Sequence, residues 1–200
     1  MTRFLSIMGL VCLIGPSGTD QAAAQCADSV VIDSVSYQVP DIWCDRMVDS
    51  TDLARPADLV RLPDTLTYQD YRIYVTPATR DAFVAMAEAA AEDSIVLQVD
   101  SGFRSKSFQR RLIARRLAEG KPFDSIARFV APPGYSEHHT GRALDLVPSD
   151  PSFVDSPAYD WLCTHARNFG FIESYPEDSQ QDIPWEPWHW WYLGPIDQAQ

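Results

Sequence analysis

The run PGYSEHHTGRALD at residues 133–145 sets the reading of this chain. Pro132, Pro133 and Gly134 break any regular element, residues 136–140 continue as a polar loop, and residues 142–147 then alternate as a short strand. His138 lies on the loop and Asp145, seven residues later, on the strand, so the strand can return the carboxylate to the imidazole. A second run, EPWHWWYLG at residues 186–194, carries His189 on what reads as the last strand, with Glu186 three residues ahead of it. Two imidazoles and one carboxylate leave a fourth position open, which is the donor pattern of a catalytic zinc site rather than a structural one. A plainer reading uses the same residues: His138 bonded to a loop carbonyl, Asp145 capping a turn, and Trp185, Trp188, Trp190, Trp191 and Tyr192 packed as core.

Outward from this run, the flanking segments read as a mixture of helices and short strands. Upstream, Thr76 and Pro77 open a helix whose apolar positions are Phe83, Met86, Ala87 and Ala90. Residues 95–99 read as a buried strand that ends at Asp100, Ser101 and Gly102, a turn that exposes Arg104. Phe108, Leu112, Ile113 and Leu117, with Gly120 after them, give a second helix with many arginines on its outer face. Downstream, Ser156 and Pro157 start a third helix with Tyr159, Leu162, Cys163, Ala166 and Phe169 on one face and Gly170 closing it. A strand at residues 171–174 and a polar loop at 176–181 lead to the last strand. Residues 25 to about 77 are rich in Asp and Pro, with β-prone pieces at 29–39 and 71–75, and read as a lead-in wrapped on the main body. The class expected is α+β, a small antiparallel sheet with flanking helices in one domain.

Composition narrows the partners. Sixteen Lys plus Arg against twenty-eight Asp plus Glu give the 200-residue chain a net charge of −12, which repels polyphosphates and argues against nucleic acid. The amino terminus has the layout of a secretory signal: Arg3, an apolar run at residues 4–15, then Ala22, Ala23 and Ala24, with cleavage expected after Ala24. Once the signal is removed, no stable membrane insertion is expected. In an oxidising compartment Cys26 and Cys44 can close a short loop, while Cys163 reads as a small buried apolar residue. No CxxC pair occurs, which removes cysteine zinc sites and thioredoxin-like redox chemistry.

Four segments together, SGFRSKSFQ at 101–109, PGYSEHHTGRALD at 133–145, WLCTHARNFGFIESYP at 161–176 and EPWHWWYLG at 186–194, resemble the zinc D-alanyl-D-alanine carboxypeptidases of the vancomycin-resistance type and the related L,D-carboxypeptidases. The likeness covers residues 59–194. It implies the α+β fold shared with the Hedgehog signalling domain, and one Zn²⁺ per chain held by His138, Asp145 and His189. It further implies Glu186 as catalytic base, with Arg104, Gln109 and Ser136 contacting a peptidoglycan stem peptide. On this basis the chain divides into a signal at 1–24, a lead-in at 25–58, a catalytic domain at 59–194 and a tail at 195–200. Export suits such a substrate, since peptidoglycan lies outside the cytoplasmic membrane. Two positions depart from the family pattern: His139 stands where Gln is common, and Arg142 where an apolar residue is usual. His139 reads as a partly exposed loop residue and His165 as surface. Two other activities share the residue pattern, a peptidoglycan endopeptidase and a zinc-stabilised binding module without hydrolysis; Glu186 argues against the second.

Overall fold

The computed structural model describes residues 26–178 and 182–195, so the signal expected at residues 1–24 lies outside the described residues. Its centre is a four-stranded antiparallel sheet. The chain reaches it through a hairpin of β1 (Ser29–Ile32) and β2 (Val35–Gln38), then a two-stranded pair of β3 (Val60–Arg61) and β4 (Tyr74–Val75). Next come α1 (Pro77–Glu92), β5 (Val99–Ser101), α2 (Lys106–Ala118), α3 (Phe123–Ala127), β6 (Ala143–Leu146), α4 (Pro157–His165), β7 (Phe171–Glu173) and β8 (His189–Tyr192). In the sheet the strand order is β5-β6-β8-β7, with every neighbour antiparallel. This is the α+β arrangement expected. No described helix is long and apolar enough to cross a membrane.

Local chemistry explains the helix starts. Thr76, Ser105 and Ser156 each sit in extended backbone, and their side-chain oxygens accept the N–H groups of Thr79, Phe108 and Tyr159. Pro77 and Pro157 occupy first-turn positions where no N–H is needed. On α1, Phe83, Met86, Ala87 and Ala90 are buried at helical spacing. Gly170 takes φ +81° behind α4, where an added Cβ would run into the backbone of Gly194.

Two apolar clusters result. One gathers α1, α4 and one face of the sheet around Phe83, Leu144, Leu146 and Phe171. The other joins the lead-in to α2 and α3 around Ile32, Trp43, Ile113 and Ile126, and the Trp43 indole N–H donates to the Ala127 carbonyl at 2.6 Å. A disulfide between Cys26 and Cys44 ties the lead-in together, as expected.

Several details differ from the sequence reading. Residues 95–99 do not form a buried strand: β5 begins at Val99, and Val96 is 76% exposed. Ser94, at φ 63°, turns the chain out of α1, and residues 95–98 follow as irregular backbone from which Leu97 still reaches the first apolar cluster, as Val99 does. Phe108 is exposed, because the buried face of α2 is centred on Gln109 and Ile113. Cys163 is exposed as well. The buried arc of α4 runs through Trp161 and Leu162, with Ala166 continuing it beyond the helix end, and Cys163 lies outside that arc. His165 is half-buried, stacked on Trp161 with ring centroids 4.6 Å apart. Helix α3, with Phe123, Ile126 and Ala127 buried, carried no expectation at all.

Candidate metal centre and peptide cleft

Strand register builds the centre. In β6, Leu144 and Leu146 point into the first apolar cluster, so the alternation of a strand turns Ala143 and Asp145 to the opposite face. The β6–β8 pairing then sets Asp145 directly opposite His189, and β5 places Ser101 on the other side of Asp145. His138 arrives from the helical turn Glu137–Thr140, whose exit is made by Gly141 at φ 66°. One candidate ligand atom from each of His138, Asp145 and His189 lies within 4.8 Å of the other two. All three residues are 5% exposed or less.

Each imidazole is oriented by a second contact. His138 Nδ1–H donates to the Gly102 carbonyl at 2.6 Å, which leaves Nε2 as the bare nitrogen facing Asp145 Oδ2 at 3.2 Å. Gly102 has no room for a side chain, since a Cβ would lie 2.8 Å from the Tyr74 carbonyl oxygen. His189 Nδ1 meets Asp145 Oδ1 at 2.9 Å, and its Nε2–H donates to Glu137 Oε2 at 2.9 Å. Tyr175 stacks on the same ring, with centroids 5.0 Å apart. Glu137 was missed by the sequence reading; its adjacency to His138 in SEHH was the available signal.

Electrostatics separates the groups. Burial, helped by the Arg104 charge, pushes His138 down to about 4, so the ring is neutral. Burial also disfavours a charged His189, but hydrogen bonds and charges from Asp145 and Glu137 outweigh it and lift the ring to about 10. Burial works against ionised Asp145 too, yet the Arg104 guanidinium and the hydrogen bond from His189 hold its carboxyl well below the usual range. Glu186 is raised to about 7, by burial first and by Asp145 and Glu137 next, with His189 and Arg104 opposing.

The sequence reading gave Arg104 an exposed position at the turn. Instead its guanidinium reaches into the centre, donating to Asp145 Oδ2 and, at 2.7 Å, to His138 Nε2, while Nε–H donates to Ser101 Oγ at 2.8 Å. A cationic group drawn to these two ligand atoms is the behaviour expected of a cation-binding donor set. Two neutral-capable imidazoles and a carboxylate, buried, without thiolates and with their outer atoms already bonded, fit zinc with an open coordination position. His139 corrects a further expectation: it is 2% exposed, accepting the Gly134 N–H at 3.0 Å on Nε2 and donating from Nδ1 to the Arg104 carbonyl at 2.6 Å. It thereby ties the Arg104 loop to the His138 loop.

The centre opens on a cavity of about 250 Å³ whose lining includes Arg104, Gln109, Ser136, Glu186 and the three candidate ligands. Every site residue expected from sequence therefore lines one cavity. Arg142 stands apart, paired with Asp52 at 3.3 Å and lying over the Trp191 ring at 5.3 Å.

Comparison with known proteins bears on what this cleft does. A family model described as VanY, D-alanyl-D-alanine carboxypeptidase, matches residues 72–195. The bifunctional D-Ala-D-Ala dipeptidase and D-Ala-D-Ala carboxypeptidase VanXYC of Enterococcus gallinarum is 35% identical over 149 residues, covering 70% of this chain and 75% of that protein. Among solved structures, the LdcB LD-carboxypeptidase, described as revealing peptidoglycan recognition, is similar at a TM-score of 0.66 and 26% identity, covering 84% of each chain. VanYB in complex with D-alanine-D-alanine is similar at a TM-score of 0.55 and 25% identity, covering 74% of this chain and 85% of the other.

Proposed function

Since the chain belongs to the VanY family of D-alanyl-D-alanine carboxypeptidases, we propose that it is a zinc-dependent enzyme that removes a terminal D-alanine from peptidoglycan stem peptides. The observation that carries this reading is the meeting of the His138, Asp145 and His189 ligand atoms within 4.8 Å on the wall that also holds Glu186. These three residues would hold one Zn²⁺ per chain. When bound, the metal supplies an acidified water and polarises the scissile carbonyl.

The chain's own groups do the rest. Glu186, lifted to about 7 by burial, takes up a proton and releases it near neutral pH, as a group acting first as base and then as acid must. At the reference value for Glu, about 4.3, the carboxylate would be a weaker base and would rarely hold a proton at neutral pH. Arg104 presents a planar fork suited to a carboxylate and lines the cavity; were Asp145 and His138 to hold a metal, its guanidinium would be the group left to meet a substrate carboxylate there. Gln109 donates one Nε2–H to the Ala131 carbonyl at 2.9 Å, which turns the amide so that its Oε1, without a donor among the described residues, is the atom offered to a substrate N–H. Ser136, 4% exposed, lines the same wall. We place the reaction outside the cytoplasmic membrane, where this substrate lies.

The test is mass spectrometry of muropeptides with pentapeptide and tetrapeptide stems, before and after incubation with zinc-loaded protein. Loss of one terminal alanine is expected, and the stem that loses it fixes a D,D or an L,D preference. Amidating the free C-terminus should lower kcat/KM by roughly 10- to 100-fold. Equal rates on free and amidated peptides would instead mark an endopeptidase on the same centre.

A further inference from the structure

Four buried side-chain polar atoms find no hydrogen-bond partner among the described residues, and two of them, Gln109 Oε1 and Arg116 Nε, belong to residues that line the catalytic cavity. Orphaned groups of this kind are rare in a folded protein and ask for a ligand. They ask for opposite things. Gln109, 1% exposed, offers a bare acceptor: its Nε2 donates to the Ala131 carbonyl, and nothing among the described residues donates to its Oε1. Arg116 offers a donor and a positive charge, and no described carboxylate pairs with it.

The spacing says what could satisfy both. Gln109 and Arg116 are seven residues apart on α2, two turns along one face and about 10.5 Å along the axis. Leu112 lies between them and Phe129 and Val130 close the cavity beside them, so the connecting wall is apolar. One extended residue spans only about 3.5 Å. The single residue removed at the centre therefore cannot reach from Gln109 to Arg116, whereas about three residues of peptide can. Building on the carboxypeptidase reading, we propose that Arg116 is a specificity-determining residue that binds a carboxylate of the stem peptide other than its C-terminal one. The preferred substrate is then a stem with a free acidic group about three residues from the N–H that Gln109 accepts.

Three synthetic stem peptides test this with zinc-loaded protein: one with all carboxylates free, one amidated only at the internal carboxylate, and one amidated only at the C-terminus. For the wild type, internal amidation should lower kcat/KM roughly 10- to 100-fold. Arg116→Gln should impose a similar loss on the free peptide and reduce the further effect of internal amidation to less than about twofold. Arg116→Lys, which keeps the charge without the planar fork, should recover part of the loss. The C-terminal amidation penalty should be the same in wild type and Arg116→Gln. The proposal is overturned if the wild type ignores internal amidation, if Arg116→Gln still discriminates against it, or if Arg116→Gln erases the C-terminal penalty instead. If no peptide is hydrolysed, the reaction assigned above fails but calorimetric binding of the same peptides still decides. Weaker binding of the internally amidated peptide by wild type alone supports the subsite, and equal binding removes it.

Discussion

Glu186 and Glu137 are both carboxylates beside His189, but their surroundings give them different work. Glu186 is half-buried and rises to about 7, which suits proton exchange. Glu137 spends one oxygen on His189 Nε2–H, which fixes the ring so that Nδ1 faces Asp145. Glu186→Gln should therefore retain fold and zinc but lose about 10³ in turnover, equivalent to about 4 kcal/mol of barrier. Near-normal hydrolysis by a zinc-replete Glu186→Gln variant would remove this residue from the reaction. Glu137→Ala should lower zinc affinity by about 10- to 100-fold, while Glu137→Gln, which keeps an acceptor, should recover much of it. Competition with a chromophoric chelator reads that difference directly, and undiminished affinity in Glu137→Ala would deny the orienting role.

Strand β7 carries a titratable group away from the centre. Glu173 accepts the Trp185 indole N–H at 2.6 Å and the Tyr159 hydroxyl at 3.2 Å, yet burial leaves its carboxyl above the ordinary value. The folded state thus binds this proton more readily than the unfolded chain. Stability from Glu173 is fully present below the ordinary Glu pKa and is lost as pH rises through the elevated one. Glu173→Gln cannot ionise and should lose less stability than wild type across that window. Urea midpoints at pH 4, 5, 6 and 7 for both proteins check this, and parallel curves would contradict it.

Among the described residues the lead-in contributes five of the twelve that are buried in the second apolar cluster, Cys26, Val30, Ile32, Val39 and Trp43, and Trp43 also lines the catalytic cavity. Its attachment therefore affects the cleft as well as the fold. The Cys26–Cys44 disulfide closes a separation of 18 residues, for which chain entropy gives about 3 kcal/mol. Cys26→Ser with Cys44→Ser should lower unfolding free energy by about that amount, measured by urea denaturation. A change below about 0.5 kcal/mol would show that apolar packing alone anchors the lead-in.

Much of the centre was legible because its chemistry is carried by rare residue types in local runs. His138, Asp145, Glu186 and His189 fall in two short segments, and helix starts at Thr76 and Ser156 follow from capping chemistry that acts within four residues. Long-range packing decided the remainder. The sequence could not tell that Asp145 faces His189 across β6 and β8, because register is a property of paired strands. Nor could it show that His139 is buried between two loops, since both of its partners are backbone groups brought together only by the fold. Cys163 looked like core because helical spacing fixes which residues share a face but not which face meets the protein. Arg104 likewise entered the centre through the charge of Asp145, forty-one residues away, which no local pattern contains.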